Sequence, residues 1–122
     1  MKALVVEDNE SLRETLMEIL ETNFSDMEVS GASNSQEALE EVGNHPPELI
    51  FMDIQIPGEN GLKLTKKIKA QYPDTVVVIH TNYDLPEYRE AAVEYGADHF
   101  LSKEKSNPDE IVALVGSLFS ST

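Results

Sequence analysis

Three acids, a hydroxyl and an ammonium stand at or just past the ends of short apolar runs. Glu7 and Asp8 follow ALVV at 3–6, and Asp53 follows LIFM at 49–52. Thr81 comes two residues after VVVI at 76–79, and Lys103 two residues after DHFL at 98–101. If these run ends meet, the acids form a cluster that cannot stay bare. Two carboxylates about 4 Å apart repel by roughly 4 kcal/mol at an effective dielectric near 20. The cluster must therefore protonate, pair with Lys103 or bind a cation. Hard oxygen ligands favour Mg²⁺ or Mn²⁺, and Mg²⁺ needs only one or two carboxylates beside water and phosphate oxygens. Such a cation neutralises charge in a phosphoryl transfer to a carboxylate oxygen, while Lys103 and the Thr81 hydroxyl are suited to hold phosphoryl oxygens.

Taken singly, each residue has an ordinary role. Asp8 precedes a helical stripe and is a good N-cap. Glu7 suits the first turn of a helix, favoured by its dipole. Asp53 is an acceptable turn residue before Pro57-Gly58, and Lys103 alone is a solvated lysine. Only their convergence carries chemistry, so the elements that position them decide the matter.

Those elements alternate. The runs at 3–6, 49–52 and 76–79 are continuously apolar, as parallel strands buried on both faces require. Residues 28–32 (EVSGA) and 98–101 are more polar and suit the edges of a sheet. Between them lie helical stripes: Leu12, Leu16, Ile19 and Leu20; Ala38, Leu39 and Val42; Leu64 and Ile68; Tyr88, Ala91, Ala92 and Tyr95; Ile111, Leu114, Val115 and Leu118. The second has a capping signature in Asn34 and Glu37. The pattern predicts a single α/β domain over 1–122. Its five parallel strands, in the order 2-1-3-4-5, are doubly wound between five flanking helices. In such a sheet the run ends share one edge, where ligands bind. The terminal SLFSST is expected to fray.

Composition narrows the function. The chain has 122 residues, 23 acids against 9 bases and a formal net charge of −14. That argues against direct nucleic-acid binding, which needs clustered Lys and Arg. The one basic concentration, Lys63, Lys66, Lys67 and Lys69, reads as a solvated helix face. No apolar run reaches the length of a membrane span, and MKALVVED does not read as a signal peptide, so a cytoplasmic location is the expectation. With no cysteine, disulfides and thiolate sites are excluded.

The segments VVEDNESLRETL, LIFMDIQIPGENG, VVVIHTN and GADHFLSK together resemble the receiver domain of two-component response regulators. The D-x-x-x-P-G-x-x-G spacing is met by Asp53, Pro57, Gly58 and Gly61 alongside the Glu7-Asp8 pair. The resemblance spans essentially the whole chain and implies a flavodoxin-like fold. It implies that Asp53 accepts a phosphoryl group from a sensor histidine kinase, a phosphotransfer protein or a small acyl phosphate. Asp8, Asp53 and the backbone carbonyl of Gln55 would ligate Mg²⁺, with Glu7 acting through water. Thr81 and Lys103 would bind the phosphoryl oxygens, and Phe100 would swing inward as Thr81 moves. Output would appear on the face of the fourth helix, fifth strand and fifth helix, near Tyr88, Tyr95 and the Ile111–Leu118 stripe. A phosphorylation-dependent homodimer is a further partner of this kind. The resemblance implies a switch with intrinsic dephosphorylation, not a conventional enzyme.

Two positions depart from the family pattern. Glu104 follows Lys103 where the family usually has a cis proline, which leaves the loop either trans or strained, since a cis non-proline bond costs about 2.5–4 kcal/mol. It is also similar to receivers attached to helix-turn-helix domains, which would make the output transcription regulation. Asn82 replaces a small residue after Thr81 and narrows access to the phosphate. Gln55 and Tyr83 occupy positions that the resemblance implies tune dephosphorylation, and the bulk of Tyr83 predicts slow loss of phosphate. Three other readings compete. One is a receiver-like interaction module working without phosphorylation. Another is a Mg²⁺-dependent phosphohydrolase using Asp53, although position 55 offers Gln where a general acid is wanted. The third is a nucleotide or flavin binder, although no glycine-rich loop follows the first strand. His45, His80 and His99 suit neither a phosphohistidine carrier nor, as strongly as packing, a metal site.

Overall fold

The computed structural model describes residues 1–119. Five parallel strands form one sheet: β1 (Lys2–Val6), β2 (Glu28–Ala32), β3 (Leu49–Met52), β4 (Val76–Thr81) and β5 (His99–Ser102). Their order is β2-β1-β3-β4-β5, as the sequence predicts. The helices are α1 (Glu10–Asn23), α2 (Ser35–Asn44), α3 (Gly61–Gln71), α4 (Pro86–Glu94) and α5 (Pro108–Leu118). β3 is buried throughout, whereas β2 and β5, at the edges, expose part of their length. Side chains alternate across the sheet and build a core on each face. Leu4, Val6, Ile50, Met52, Val77 and Ile79 pack with Ala38, Leu64, Ile68 and Ala92 from α2, α3 and α4. Ala3, Val5, Phe51 and Val78 pack with Leu16, Leu20, Ile111 and Val115 from α1 and α5.

Four helices begin on an asparagine whose side chain accepts a first-turn backbone N–H: Asn9, Asn34, Asn60 and Asn107. Asn9, not Asp8, therefore caps α1, and Asp8 is free for other work. Its neighbour's backbone geometry explains the difference, since Asn9 alone reaches Leu12 N–H at 3.0 Å. Asn34 caps α2 as expected, but Glu37 reaches back to the N–H and hydroxyl of Ser33, one residue earlier than a capping box would place it. α4 is the exception: it starts at Pro86 without a side-chain cap.

Several stripe members sit differently from expectation. Leu12 and Leu39 are exposed, because the helices turn them past the edge of the buried face. By contrast Ile111 and Val115 are buried and Leu114 and Leu118 pack on the same core, so that stripe faces the sheet as its spacing predicts. Lys69 is only partly exposed. Its ammonium binds the carbonyls of Pro73 and Thr75 and the Asp98 carboxylate, tying α3 to the base of β4. Of SLFSST, helix continues through Leu118, and 120–122 lie outside the described residues. No helix among the described residues is long and apolar enough to cross a membrane.

Candidate phosphoacceptor site

The three charged positions are set by one repeated backbone device. Glu7 N–H donates to the carbonyl of Ala32, the last residue of β2, at 2.9 Å. Asp53 N–H donates to Val6, the last of β1, at 3.1 Å, and Lys103 N–H to Thr81, the last of β4, at 2.9 Å. Each of these candidate residues is thus the first beyond its own strand, held by the final rung of its neighbour's ladder. Thr81 itself is the last residue of β4, not one beyond it. Parallel register brings these ends to one edge although they lie far apart in the chain.

The turn after Asp53 is equally determined. Gly61 N–H bonds to the Ile54 carbonyl at 2.8 Å, and a Cβ at Gly61 would lie 1.9 Å from the Asp53 carbonyl oxygen. α3 can start this close to Asp53 only on glycine. Gly58 has φ of +89°, and a Cβ there would meet the Ser35 hydroxyl at 2.2 Å. Ser35, buried at the start of α2, accepts from Glu59 N–H at 3.0 Å and donates its own N–H to Pro57. The Pro57-Gly58-x-x-Gly61 spacing therefore fits a loop clamped between α2 and the backbone of Asp53.

At the edge, carboxylate oxygens of Glu7, Asp8 and Asp53 all lie within 4.8 Å of one another. Glu7 and Asp53 are buried, while Asp8 is exposed. Lys103 Nζ bridges the two buried acids, donating to Glu7 Oε1 and, at 2.9 Å, to Asp53 Oδ2. Glu7 is further held by Asn9 N–H at 3.0 Å, and its carbonyl accepts from Arg13. Burial, opposed by the Lys103 and Asn9 hydrogen bonds, leaves the Glu7 carboxyl above the usual carboxylate range. Burial works to lower the Lys103 ammonium, but its bonds to Glu7 and Asp53 outweigh that and hold it above the usual lysine value. Three acids against one ammonium leave the cluster short of positive charge. Its all-oxygen donor set suits Mg²⁺, with Asp8 already facing solvent.

Lys103 reaches the acids with every peptide bond trans among the described residues, so the non-proline Glu104 needs no cis bond to aim it. Thr81 is fully buried, and its hydroxyl oxygen accepts from Tyr83 N–H at 3.2 Å, a contact with its own turn and not with the acids. Gln55, Asn82 and Tyr83 line the open groove over Asp53, together with Asp8 and Lys103. Tyr83 is exposed and leans on Tyr88, with ring centroids 5.6 Å apart. Phe100 is half-buried against the α2–α4 core. No histidine joins the acidic group: His45 is exposed at the end of α2, and His80 sets its ring edge-on to Phe51 at 6.2 Å.

Sequence reading missed Arg13, Ser35 and Asn60 as supports, and the ion pairs that Asp84 makes with Arg89 and Lys105. Only Asn60, an asparagine before a helical stripe, carried a readable signal.

The model of the response regulator receiver domain matches residues 3–116. The oxygen regulatory protein NreC of Staphylococcus haemolyticus is 37% identical over 117 residues, which is 93% of this chain and 52% of that protein. The chain therefore spans about half the length of the NreC relatives. The chemotaxis protein CheY of Halobacterium salinarum is 32% identical over 113 residues, covering 93% of this chain and 92% of that one. Among solved structures, a CheY-like receiver domain protein from Methanospirillum hungatei superposes with a TM-score of 0.88 at 26% identity, over 96% of this chain and 91% of that chain. With the 2-1-3-4-5 sheet and the acidic edge in place, the chain belongs to the receiver domain family of two-component response regulators.

Proposed function

We propose that this receiver domain is a switch driven by phosphorylation of Asp53. The observation that carries the reading is the pairing of a buried Asp53 with Lys103 beneath an open groove, next to two further acids. An oxygen of the Asp53 carboxylate attacks the phosphorus of a phosphohistidine or a small acyl phosphate. The new O–P bond gives a mixed anhydride, the bond to the donor breaks, and the donor leaves with its electron pair. Lys103 then turns from neutralising Asp53 to binding a phosphoryl oxygen, and Thr81 supplies a hydroxyl to another. Asp8, Asp53 and the Gln55 carbonyl, with Glu7 through water, are the residues that would hold Mg²⁺, which supplies charge neutralisation when bound.

Receiver domains work with sensor histidine kinases or phosphotransfer proteins, and we take such a protein as the donor here. The switch is a shift of population. Moving a two-state domain from 1:99 to 99:1 needs about 5.5 kcal/mol. Two new charge-assisted contacts supply roughly 1.5–3 kcal/mol each, so the switch is partial or completed by a partner. The α4-β5-α5 face is the proposed output, with Phe100 following Thr81, and a phosphorylation-dependent homodimer as one form of it. Tyr83 over the groove supports slow loss of the phosphoryl group, with Gln55 as its neighbour. A cytoplasmic setting suits this role.

Incubation with Mg²⁺ and a small acyl phosphate, read by intact mass, tests the assignment. The chain should gain one phosphoryl group, and Asp53→Ala none. Equal labelling of both would remove Asp53 as acceptor.

A further inference from the structure

Phe100 pairs in register with Ile79, and Ile79 and Thr81 lie on the same face of β4. An inward movement of the ring is thus a movement toward Thr81. The ring also carries the guanidinium of Arg89, whose Cζ lies 4.6 Å from the ring centroid. Arg89 Nε donates to Asp84 Oδ1 at 2.5 Å, and Asp84 Oδ2 takes Lys105 Nζ at 3.2 Å. Asp84 stands three residues after Thr81, and Lys105 two after Lys103. One carboxylate therefore ties both phosphate-binding loops to α4, the one helix without a side-chain cap. The arms are unequal. Asp84 is only 15% exposed, Arg89 is half-exposed, and Lys105 at 77% exposure is the weak one.

We propose that Asp84 and Arg89, stacked on Phe100, form a latch that favours the unphosphorylated arrangement and must open for the switch to complete. This rests on the phosphoacceptor reading of Asp53. The guanidinium attracts the ring only while the ring stays beneath it, so the contact stabilises one state and not the other. A pair that merely braced the fold would act on both states alike and leave ligand affinity unchanged.

The test titrates beryllofluoride with Mg²⁺, a phosphoryl mimic, into the chain labelled with fluorophenylalanine. The chain has four phenylalanines, and Phe100→Leu identifies the Phe100 signal by ¹⁹F NMR. Arg89→Ala should move that signal toward its beryllofluoride-bound position before any ligand is added. It should also tighten beryllofluoride binding by roughly threefold to tenfold, the range expected from one exposed cation–π contact with its ion pair. Asp84→Asn should act in the same direction, Arg89→Lys should restore part of the wild-type behaviour, and Lys105→Ala should change affinity less than about twofold. Unchanged or weaker binding by Arg89→Ala, with the Phe100 signal unmoved, overturns the latch. Failure of the wild-type chain to take up either beryllofluoride or a phosphoryl group overturns the Asp53 reading itself, and the latch with it.

Discussion

Asp53 and Asp8 are both aspartates, yet their surroundings differ. Asp53 is buried against Lys103, with one carboxylate oxygen engaged at 2.9 Å, while Asp8 stands exposed at the groove mouth. Glu7, buried like Asp53, depends on the same ammonium for compensation. His80 senses this charge as well. Burial and then the nearby Lys103 charge lower its pKa from 6.5 to about 4, with Asp53 opposing. The imidazole is therefore neutral in the native state down to about pH 4, whereas the unfolded chain binds a proton below about 6.5. The unfolded state takes up more protons across that window, so stability falls as pH drops through it. His80→Leu should remove this component. In urea melts without added Mg²⁺, the variant is expected to lose about 2 kcal/mol less than the parent between those two pH values. Parallel pH profiles would mean that His80 carries no such load.

At the scale of elements, the loop from β3 to α3 decides where Asp53 points. Two glycines are required there for different reasons: Gly58 for its positive φ, Gly61 for close approach to the Asp53 carbonyl. Gly61→Ala pushes a methyl group against a backbone oxygen, which cannot move without shifting Asp53. We expect a loss of about 3 kcal/mol, at the upper end for overpacking, together with weaker phosphoryl labelling. Gly116, on α5 with nothing within 4 Å of a Cβ, is the control. There an alanine should stabilise by about 0.4–1 kcal/mol. Urea midpoints of the two variants provide the comparison, and a neutral Gly61→Ala would show that the Asp53 carbonyl does not close off a side chain there.

For the molecule as a whole, net charge and local charge have to be separated. With −14 overall, any divalent cation relieves some long-range repulsion. Specific binding at Glu7, Asp8 and Asp53 should exceed that. At a Mg²⁺ concentration 100 times its Kd, linkage stabilises the native state by about 2.7 kcal/mol. The expected result is a rise in Tm with Mg²⁺ beyond that seen with sodium salt at equal ionic strength. Asp8→Asn should lose most of this excess while making the metal-free domain no less stable than the parent, because Asp8 caps no helix and its charge adds to the repulsion within the bare cluster. An equal Mg²⁺ effect in Asp8→Asn would assign the stabilisation to general screening.

Much of this architecture is legible in the chain because period and burial are local properties. Continuous apolar runs mark the strands buried on both faces, more polar runs mark the edges, and the right-handed crossover leaves few ways to order them. Glu7, Asp8, Asp53, Thr81 and Lys103 are readable for the same reason: all stand at or just past the carboxyl ends of their strands. What a stripe cannot specify is how far around a helix its buried face extends, which is why Leu12 and Leu39 emerge exposed. Nor does spacing reveal that Asn9 takes the cap and frees Asp8. The long-range supports were invisible. Ser35 beneath Gly58, Lys69 on Asp98, and Asp84 between Arg89 and Lys105 join residues whose types are ordinary at those positions. The sequence by itself determined the sheet and the residue types that stand at its edge. Only tertiary structure decided which charges pair across it, because those contacts depend on where separate loops come to rest once the core has packed.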